Sequence, residues 1–187
     1  QWIADAISII RPRYVLLENV QGLLVRGGTD TVGALTAVGY DTRWGLVRAS
    51  DAGAPHRRAR WFAVAQPSDS HGFPARGFPG ASFGKKKLDR RCEKSKSDRL
   101  EDGFRTNSPE WGEWGPAIRR WETILGRTAP APFLDGKLNP WAVEWMMGLP
   151  NGWVCDVIDK RTLMLKMLGN GCVPQQAHLA FSLLLNK

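Results

Sequence analysis

The stretch Tyr14-Val15-Leu16-Leu17-Glu18-Asn19-Val20 decides the fold class of this chain. Its apolar residues run without alternation over the length of a strand, a pattern typical of strands buried on both faces, as in a parallel sheet. In open α/β sheets, ligands bind outside the carboxyl ends of such strands. The sequence therefore predicts that Glu18 lies at a ligand-binding edge of the sheet.

Helical and extended segments alternate around this strand. Apolar residues at near-helical spacing predict a helix over residues 2–10 that packs on a sheet, and the strand itself is predicted over 13–20. A second helix follows Gly27-Gly28, with Thr29 or Asp30 as its cap, and ends at Gly39. Two extended runs, 42–49 and 60–65, flank a turn at 53–55. This alternation indicates the α/β class.

The character of the chain changes between residues 66 and 137, where Gly, Pro, Ser and charged residues dominate. Only residues 116–125 read as a helix there, with Gly126 as its stop. The last part of the chain returns to helical patterning. A helix over 175–184 is predicted to pack Ala177, Leu179, Ala180, Leu183 and Leu184 on the sheet. We therefore expect three segments, 1–65, 66–137 and 138–187.

The chain of 187 residues is basic, with 26 Lys and Arg against 18 Asp and Glu and a net charge of +8. This balance favours a polyanionic partner such as nucleic acid. Residues 85–99 alone hold eight basic and three acidic side chains. Such a run is equally typical of a solvated or disordered loop.

Several classes of protein are not indicated. Cys92, Cys155 and Cys172 have neither CxxC spacing nor paired histidines, so no zinc site, other metal site or disulfide framework is expected. Cysteines without a disulfide framework fit a reducing cytoplasm. No long apolar span or leader segment is present, so neither a membrane span nor a signal peptide is expected. The first residue is Gln1 rather than Met, from which we expect the chain to begin inside a longer protein.

A second motif, Pro55-His56-Arg57-Arg58-Ala59-Arg60, completes a resemblance to the DNA (cytosine-5) methyltransferases. Residues 18–20 resemble the family's Glu-Asn-Val block, and residues 56–60 its Gln-x-Arg-x-Arg block, with His56 in place of Gln. The segment Leu168-Gly169-Asn170-Gly171-Cys172-Val173-Pro174 resembles the last block, Gly-Asn-Ser-Val, with Gly171 in place of Ser. Met146-Met147-Gly148-Leu149-Pro150 resembles the block Leu-x-Gly-Phe-Pro. Each motif is short, but their order and spacing are specific.

The resemblance implies part of a Rossmann-like S-adenosylmethionine-dependent methyltransferase sheet, with residues 66–137 as an inserted irregular target-recognition region. The substrate would be double-stranded DNA with a cytosine flipped out of the stack. Glu18 would hold N3 of that cytosine, Arg60 would donate to O2, and Arg58 would support Glu18 or a nearby phosphate. The residues implied to line S-adenosylmethionine are Asn170, Gly171 and Cys172. The residues expected to contact DNA are Arg57, Lys85, Lys86, Lys87, Arg90 and Arg91.

Two blocks of the family are missing from the sequence. It contains neither the glycine-rich cofactor loop nor the Pro-Cys nucleophile loop, and none of its cysteines follows a proline. Both blocks precede the Glu-Asn-Val block in the family. We therefore expect the carboxyl-terminal portion of a phage or bacterial type methyltransferase, of the restriction-modification kind, monomeric as a whole and inactive as this portion alone. The alternative is a non-catalytic DNA-binding remnant of such an enzyme.

Simpler interpretations of the single motifs stay open. A Glu after a strand is often a solvated loop acid, and Gly-Asn-Gly is often a turn or a helix stop. The arginines at 57, 58 and 60 also fit a general phosphate or surface patch. Cys172 also fits a small buried apolar residue.

Overall fold

The computed structural model describes residues 2–68 and 111–186. Lys85, Lys86, Lys87, Arg90 and Arg91 therefore lie outside the described residues. The helices are α1 (Trp2–Ile10), α2 (Gly28–Ala37), α3 (Gly115–Leu125), α4 (Pro140–Met146), α5 (Arg161–Asn170) and α6 (Pro174–Leu185). The strands are β1 (Val15–Val20), β2 (Tyr40–Arg48), β3 (Ala59–Pro67), β4 (Phe133–Leu134) and β5 (Lys137–Leu138).

The three long strands form one sheet in the order β1-β3-β2, so β3 is its centre. Side chains alternate between the two faces of a strand, and each face has its own helical cover. On one face Phe62 and Val64 of β3 pack with Ala180 and Leu184 of α6. On the other face Ala65 packs in a cluster that includes residues of α1 and α2. Helices thus lie on both sides of the sheet, as expected for the α/β class.

The parallel arrangement expected for β1 is wrong. β1 and β2 both pair antiparallel with β3, and β1 forms an edge of the sheet. Leu16 and Val20 of β1 are 51% and 52% exposed, so the strand is not buried on both faces. An apolar run predicts a strand through its local patterning, whereas direction and cover depend on contacts that distant segments supply.

Two expectations about the helices in the first part of the chain are also corrected. α1 forms where predicted, but among its large apolar residues only Ile7 is buried, while Trp2 is 88% exposed. α2 begins at Gly28 with Gly27 as its cap, and no side chain caps it. Thr29 and Asp30 lie inside the first turn instead. Glycine reaches φ +126 at position 27, a conformation that side-chain-bearing residues rarely adopt.

The segments after residue 110 build a second core. Trp121 of α3 and Trp145 of α4 are fully or nearly fully buried in a cluster with Ala49, Ala54 and Val173. The indole Nε1 of Trp121 donates to the carbonyl of Trp145 at 3.1 Å. The helices predicted over 116–125 and 175–184 are confirmed as α3 and α6. These contacts join α3 and α4 to the turn after β2.

One detail of α6 differs from the prediction. Ala180 and Leu184 are buried against the sheet, and Ala177 and Leu179 are partly buried there. Leu183, which was also predicted to pack on the sheet, is 47% exposed. Among the residues that the structure describes, no helix is long and apolar enough to cross a membrane.

Candidate functional site

An acid and an arginine meet on the face of the sheet that α6 covers. In the register of β1 and β3, Glu18 lies opposite Phe62 and Val20 opposite Arg60. Glu18 and Arg60 are therefore diagonal neighbours on the same face, within reach of long side chains. Arg60 Nε lies 2.9 Å from Glu18 Oε1, with the side chains 14% and 30% exposed. Each partner holds the other in a fixed, partly desolvated position.

Arg58 reaches away from this pair to residues 169–172, which are the end of α5 and the connection to α6 and are called the glycine loop below. Its Nη2 donates to the carbonyls of Gly169 at 2.8 Å and Gly171 at 2.6 Å. Burial lowers the pKa of the Arg58 guanidinium, and the nearby charge of Arg60 lowers it further, whereas Glu18 raises it. Arg58 thus lies within electrostatic range of Glu18 but hydrogen-bonds the glycine loop.

The backbone of Arg58 is itself held from α6. Arg58 has φ 25, in a region that residues other than glycine seldom occupy. The side chain of Gln176, which is fully buried, donates to the carbonyl of Arg58 and to that of Val47, each at 2.8 Å. A single amide therefore joins α6, β2 and the turn before β3.

His56 connects the arginine motif to α4. Its Nε2 lies 3.0 Å from the carbonyl of Met146. Burial lowers the pKa of His56, the hydrogen bond to Met146 raises it, and the charge of Arg58 lowers it again. The net direction is downward, so the ring is mostly neutral near pH 7, with Nε2 carrying the proton that Met146 accepts.

The Met146–Pro150 motif continues this connection toward α6. Gln175 Nε2 donates to the carbonyl of Gly148 at 3.1 Å. Gly148 has φ +68, and a Cβ at this position would meet the side-chain amide of Gln175. The backbone conformation favours glycine here, and a larger residue would also displace the Gln175 amide from its hydrogen bond with Gly148.

The residues expected to line a cofactor are consecutive and lie where α5 ends and the connection to α6 begins. Asn170 is the last residue of α5, and Gly171 follows in an extended conformation. The side chain of Asn170 is exposed and has no hydrogen-bond partner within residues 2–68 and 111–186. Cys172 is partly buried beside the α6 face of the sheet. Burial and the charge of Glu18 raise the pKa of its thiol, while Arg58 and Arg60 act in the opposite direction.

The structure thus brings together most of the predicted site residues that it describes. Glu18, Arg58 and Arg60 lie on or beside the sheet, and the loop with Asn170, Gly171 and Cys172 is joined to them through Arg58. Arg57 is exposed next to this group. The described segments contain no cluster of His, Cys, Asp and Glu side chains that could hold a metal ion.

Two buried polar residues were missed by the reasoning from sequence. Gln176 sits in the apolar pattern of α6, and Glu144 sits in that of α4. Both are 2% exposed or less. The Glu144 carboxylate accepts hydrogen bonds from the backbone N–H groups of Gly152, Val154 and Cys155. Each is a polar residue on the apolar side of a helix. Because buried polar groups are normally hydrogen-bonded, this position could have predicted that each side chain binds backbone groups of another segment.

Two known methyltransferases are similar to part of this chain. The Type II methyltransferase M.NaeI of Lentzea aerocolonigenes is 34% identical over 68 residues, which are 34% of this chain and 16% of the relative. The putative DNA (cytosine-5)-methyltransferase CMT1 of Arabidopsis thaliana is 38% identical over 73 residues, 35% of this chain and 9% of the relative. The matched part is thus a small fraction of either relative's length.

The fold has a solved counterpart in the Dnmt2 methyltransferase of S. pombe. The two superpose with a TM-score of 0.53 at 19% identity, over 93% of this chain and 65% of the other. At this identity the likeness concerns the fold alone, and it supports a methyltransferase-like α/β arrangement. The family profile described as C-5 cytosine-specific DNA methylase matches residues 2–114, more than half of the 187 residues. The chain belongs to the C-5 cytosine-specific DNA methylases.

Proposed function

We propose that this chain is the carboxyl-terminal portion of an enzyme that transfers a methyl group from S-adenosylmethionine to C5 of a cytosine flipped out of duplex DNA. The chain contributes the groups that hold the base, and the segment with the nucleophilic cysteine lies outside it. None of its three cysteines follows a proline. In the described part of the chain, Cys155 and Cys172 have raised thiol pKa values, which is unfavourable for a nucleophile.

The observation that carries the proposal is the contact between Glu18 and Arg60. The two groups are 2.9 Å apart and both are partly buried. The carboxyl group of Glu18 can exchange a proton with a ligand, and the guanidinium of Arg60 beside it is a fixed hydrogen-bond donor. Within the described residues, Glu18 Oε2 makes no salt bridge or hydrogen bond. Such a pair suits a polar ring in which a ring nitrogen lies next to an acceptor oxygen, because the nitrogen can bind Glu18 while the oxygen accepts from Arg60.

The chemistry requires this pair because C5 of cytosine is a poor nucleophile. Addition of a thiolate at C6 breaks the C5–C6 double bond and moves an electron pair toward N3, so that C5 acquires enamine character. Glu18 hydrogen-bonds N3 and relays a proton to it from solvent as that nitrogen becomes more basic, and Arg60 stabilises the charge that develops on O2. S-adenosylmethionine would supply the electrophilic methyl group and leave as S-adenosylhomocysteine. C5 then loses its proton to water, N3 returns its proton through Glu18, and expulsion of the thiolate from C6 restores the aromatic ring.

The loop after α5 fits the role of a cofactor lining. The Asn170 side chain is exposed and has both amide donors and a carbonyl acceptor to offer a polar ligand. A Cβ on Gly169 would meet nothing within 4 Å, and one on Gly171 would be in ordinary contact at 3.5 Å or more. The loop therefore leaves space for a ligand at its outer side, while Arg58 holds its carbonyls from the inner side. We assign Asn170, Gly171 and Cys172 to this lining.

Sequence recognition is assigned to residues 66–137, part of which lies outside the described residues. Arg57 and the basic residues at 85, 86, 87, 90 and 91 provide phosphate contacts, which position the duplex without reading bases. We place the working enzyme in the cytoplasm of a bacterial or phage-infected cell, as a monomer that needs no metal.

The test uses the longest open reading frame that contains this chain. With labelled S-adenosylmethionine and cytosine-containing duplex DNA, we expect methyl transfer by the product of that frame and none by residues 1–187 alone. Glu18→Gln should lower turnover by about 10²-fold while DNA affinity changes little, because the acid acts while the adduct forms. Asp5→Asn, which also replaces one acid by its amide at an exposed position of α1, is the matched control. Equal losses of binding and turnover would give Glu18 a structural role instead.

The second candidate is a DNA-binding remnant without chemistry, favoured by the net charge of +8 and the absence of a Pro-Cys pair. The same preparation separates the two. Salt-sensitive DNA binding without methyl transfer by the product of the full reading frame would support the remnant and overturn the enzyme.

A further inference from the structure

One arginine contacts one half of the candidate site and lies close to the other half along the chain. The Nη2 group of Arg58 donates to the carbonyls of Gly169 and Gly171, the two residues that flank Asn170. Two residues later along the chain, Arg60 forms the ion pair with Glu18. The arginine that reaches the loop is therefore separated from the base-holding pair by one residue of β3. A displacement of residues 169–171 would therefore be transmitted to the Glu18–Arg60 pair through the side chain of Arg58 and two residues of backbone.

The geometry makes Arg58 difficult to replace. Both hydrogens of one guanidinium nitrogen are used, at 2.8 and 2.6 Å, which are short charge-assisted hydrogen bonds. Carbonyl oxygens are weaker partners for a partly buried cation than a carboxylate, and burial with the charge of Arg60 lowers the pKa of Arg58. The guanidinium is therefore desolvated at some cost, and its two hydrogen bonds restrain residues 169–171.

The backbone of the same residue is fixed independently. Its φ of 25 is strained for an arginine. The buried amide of Gln176 and the N–H of Ala49 both donate to its carbonyl, at 2.8 and 3.3 Å. The backbone of Arg58 is therefore fixed by α6 and by the residue that follows β2. Movement of residues 169–171 must then either break the hydrogen bonds of the Arg58 side chain or displace this fixed backbone.

We infer that Arg58 is a positioning residue: it fixes the Gly169–Gly171 loop relative to the Glu18–Arg60 pair and couples the occupancy of one to the other. Gln176 supports it by holding its carbonyl. Arg58 then contributes to the reaction through the loop, without touching the base. The coupling rests on the proposed function, because it assigns the loop to the cofactor and the pair to the cytosine.

The first measurement is hydrogen exchange on the 187-residue chain, which needs neither DNA nor cofactor. The amide of Gly171 is hydrogen-bonded to the carbonyl of Met167 at 2.9 Å, so it reports on the loop. Arg58→Met should speed exchange across residues 169–172 by on the order of tenfold or more, because two charge-assisted hydrogen bonds are lost. Exchange of the β3 amides at 61–65 should stay at the wild-type rate.

Lys166→Met is the matched control, since it removes one exposed positive charge from α5 and should leave exchange of the loop unchanged. Equal acceleration in the loop and in β3 by Arg58→Met would mean a general loss of stability and would overturn the inference. Unchanged loop exchange would overturn it as well. Should Arg58→Met fail to fold, Arg58→Lys provides the same readout, because a shorter ammonium group cannot reproduce both hydrogen bonds.

The second measurement addresses coupling in the product of the full reading frame. Duplex DNA affinity is measured with and without S-adenosylhomocysteine as the probe, in the wild type and in Arg58→Lys. We expect the probe to tighten DNA binding several-fold in the wild type and to have little effect in the variant. If S-adenosylhomocysteine changed DNA affinity equally in both proteins, Arg58 would not couple the two parts of the site. Absence of methyl transfer by the wild type would count against the proposed function, whereas the exchange result would stand.

Discussion

Replacing Glu144 tests whether the core after residue 110 depends on one buried carboxylate. Glu144 is 2% exposed. Its Oε1 accepts from the N–H groups of Val154 at 2.6 Å and Cys155 at 3.1 Å, and its Oε2 accepts from that of Gly152 at 2.8 Å. These bonds hold the irregular segment between α4 and α5 in place. Glu144→Ala removes all three acceptor contacts at once.

The expected loss follows from those contacts. Each hydrogen bond to a charged group contributes roughly 1.5 to 3 kcal/mol, and relaxation with entry of water recovers part of the sum. We therefore expect Glu144→Ala to lower the free energy of unfolding by about 4 kcal/mol, a large part of a typical total of roughly 5 to 15 kcal/mol. Glu144→Gln should lower the free energy of unfolding by less than Glu144→Ala, because the amide oxygen of Gln still accepts hydrogen bonds. Some loss remains, since the amide nitrogen of Gln cannot accept and would face a backbone N–H group.

Urea unfolding followed by tryptophan fluorescence is the assay. With a slope of about 2 kcal/mol per molar urea, the loss corresponds to a midpoint lower by about 2 M. Glu113→Ala, an exposed acid next to α3, should leave the midpoint unchanged. A midpoint for Glu144→Ala within about 0.3 M of the wild type, by the same slope, would refute the reasoning that the carboxylate stabilises this segment.

Three further predictions concern the site and its surroundings. Arg60→Ala, tested in the product of the full reading frame, should weaken binding of duplex DNA with a flipped cytosine and lower turnover, because the donors for O2 are lost; wild-type kinetics would remove Arg60 from the site. Neutralising Lys85, Lys86 and Lys87 together should reduce the salt dependence of DNA binding, while bisulfite sequencing finds the same methylated site; a changed site would place base contacts there. Burial and the nearby Glu144 carboxylate raise the pKa of Cys155 to about 12, and thiolate is the reactive form. Alkylation of Cys155 in the native chain should therefore be slow at pH 8 and keep rising with pH up to 10, about tenfold per unit; a plateau near pH 8 to 9 in peptide mass spectra would contradict the raised pKa.

The positions of the main elements could be predicted from sequence, because local patterning determines them. The strand around Val15–Val20 and the helix α3 appear close to the predicted bounds, and Gly126 ends α3 with φ 64. The Glu18 and Arg60 motifs indicated two groups that converge, and the structure places them in contact. The strand and helix bounds reflect local patterning, whereas the contact between Glu18 and Arg60 joins two motifs that were predicted separately.

The features that were predicted wrongly or missed depend on partners far along the chain. The direction of β1 and its exposed position at the sheet edge follow from pairing with β3, whose paired residues lie 40 to 50 positions away. The role of Gln176 depends on carbonyls at positions 47 and 58. Glycine rather than Thr29 or Asp30 begins α2, since the backbone at position 27 requires a positive φ. The local pattern of residue types does not show which distant segments come into contact.

The diagonal placement of Glu18 and Arg60 also determines which length changes the gene can tolerate. A one-codon insertion or deletion within β1 or β3 shifts the strand by one residue and turns every following side chain to the opposite face. Glu18 would then point toward the α1 and α2 side, away from Arg60, although both codons remain intact. Length variants that preserve activity should therefore have their indels in the connection at 21–27. They should have none inside residues 15–20, and none inside 49–67, which hold the turn with His56 and Arg58 as well as β3.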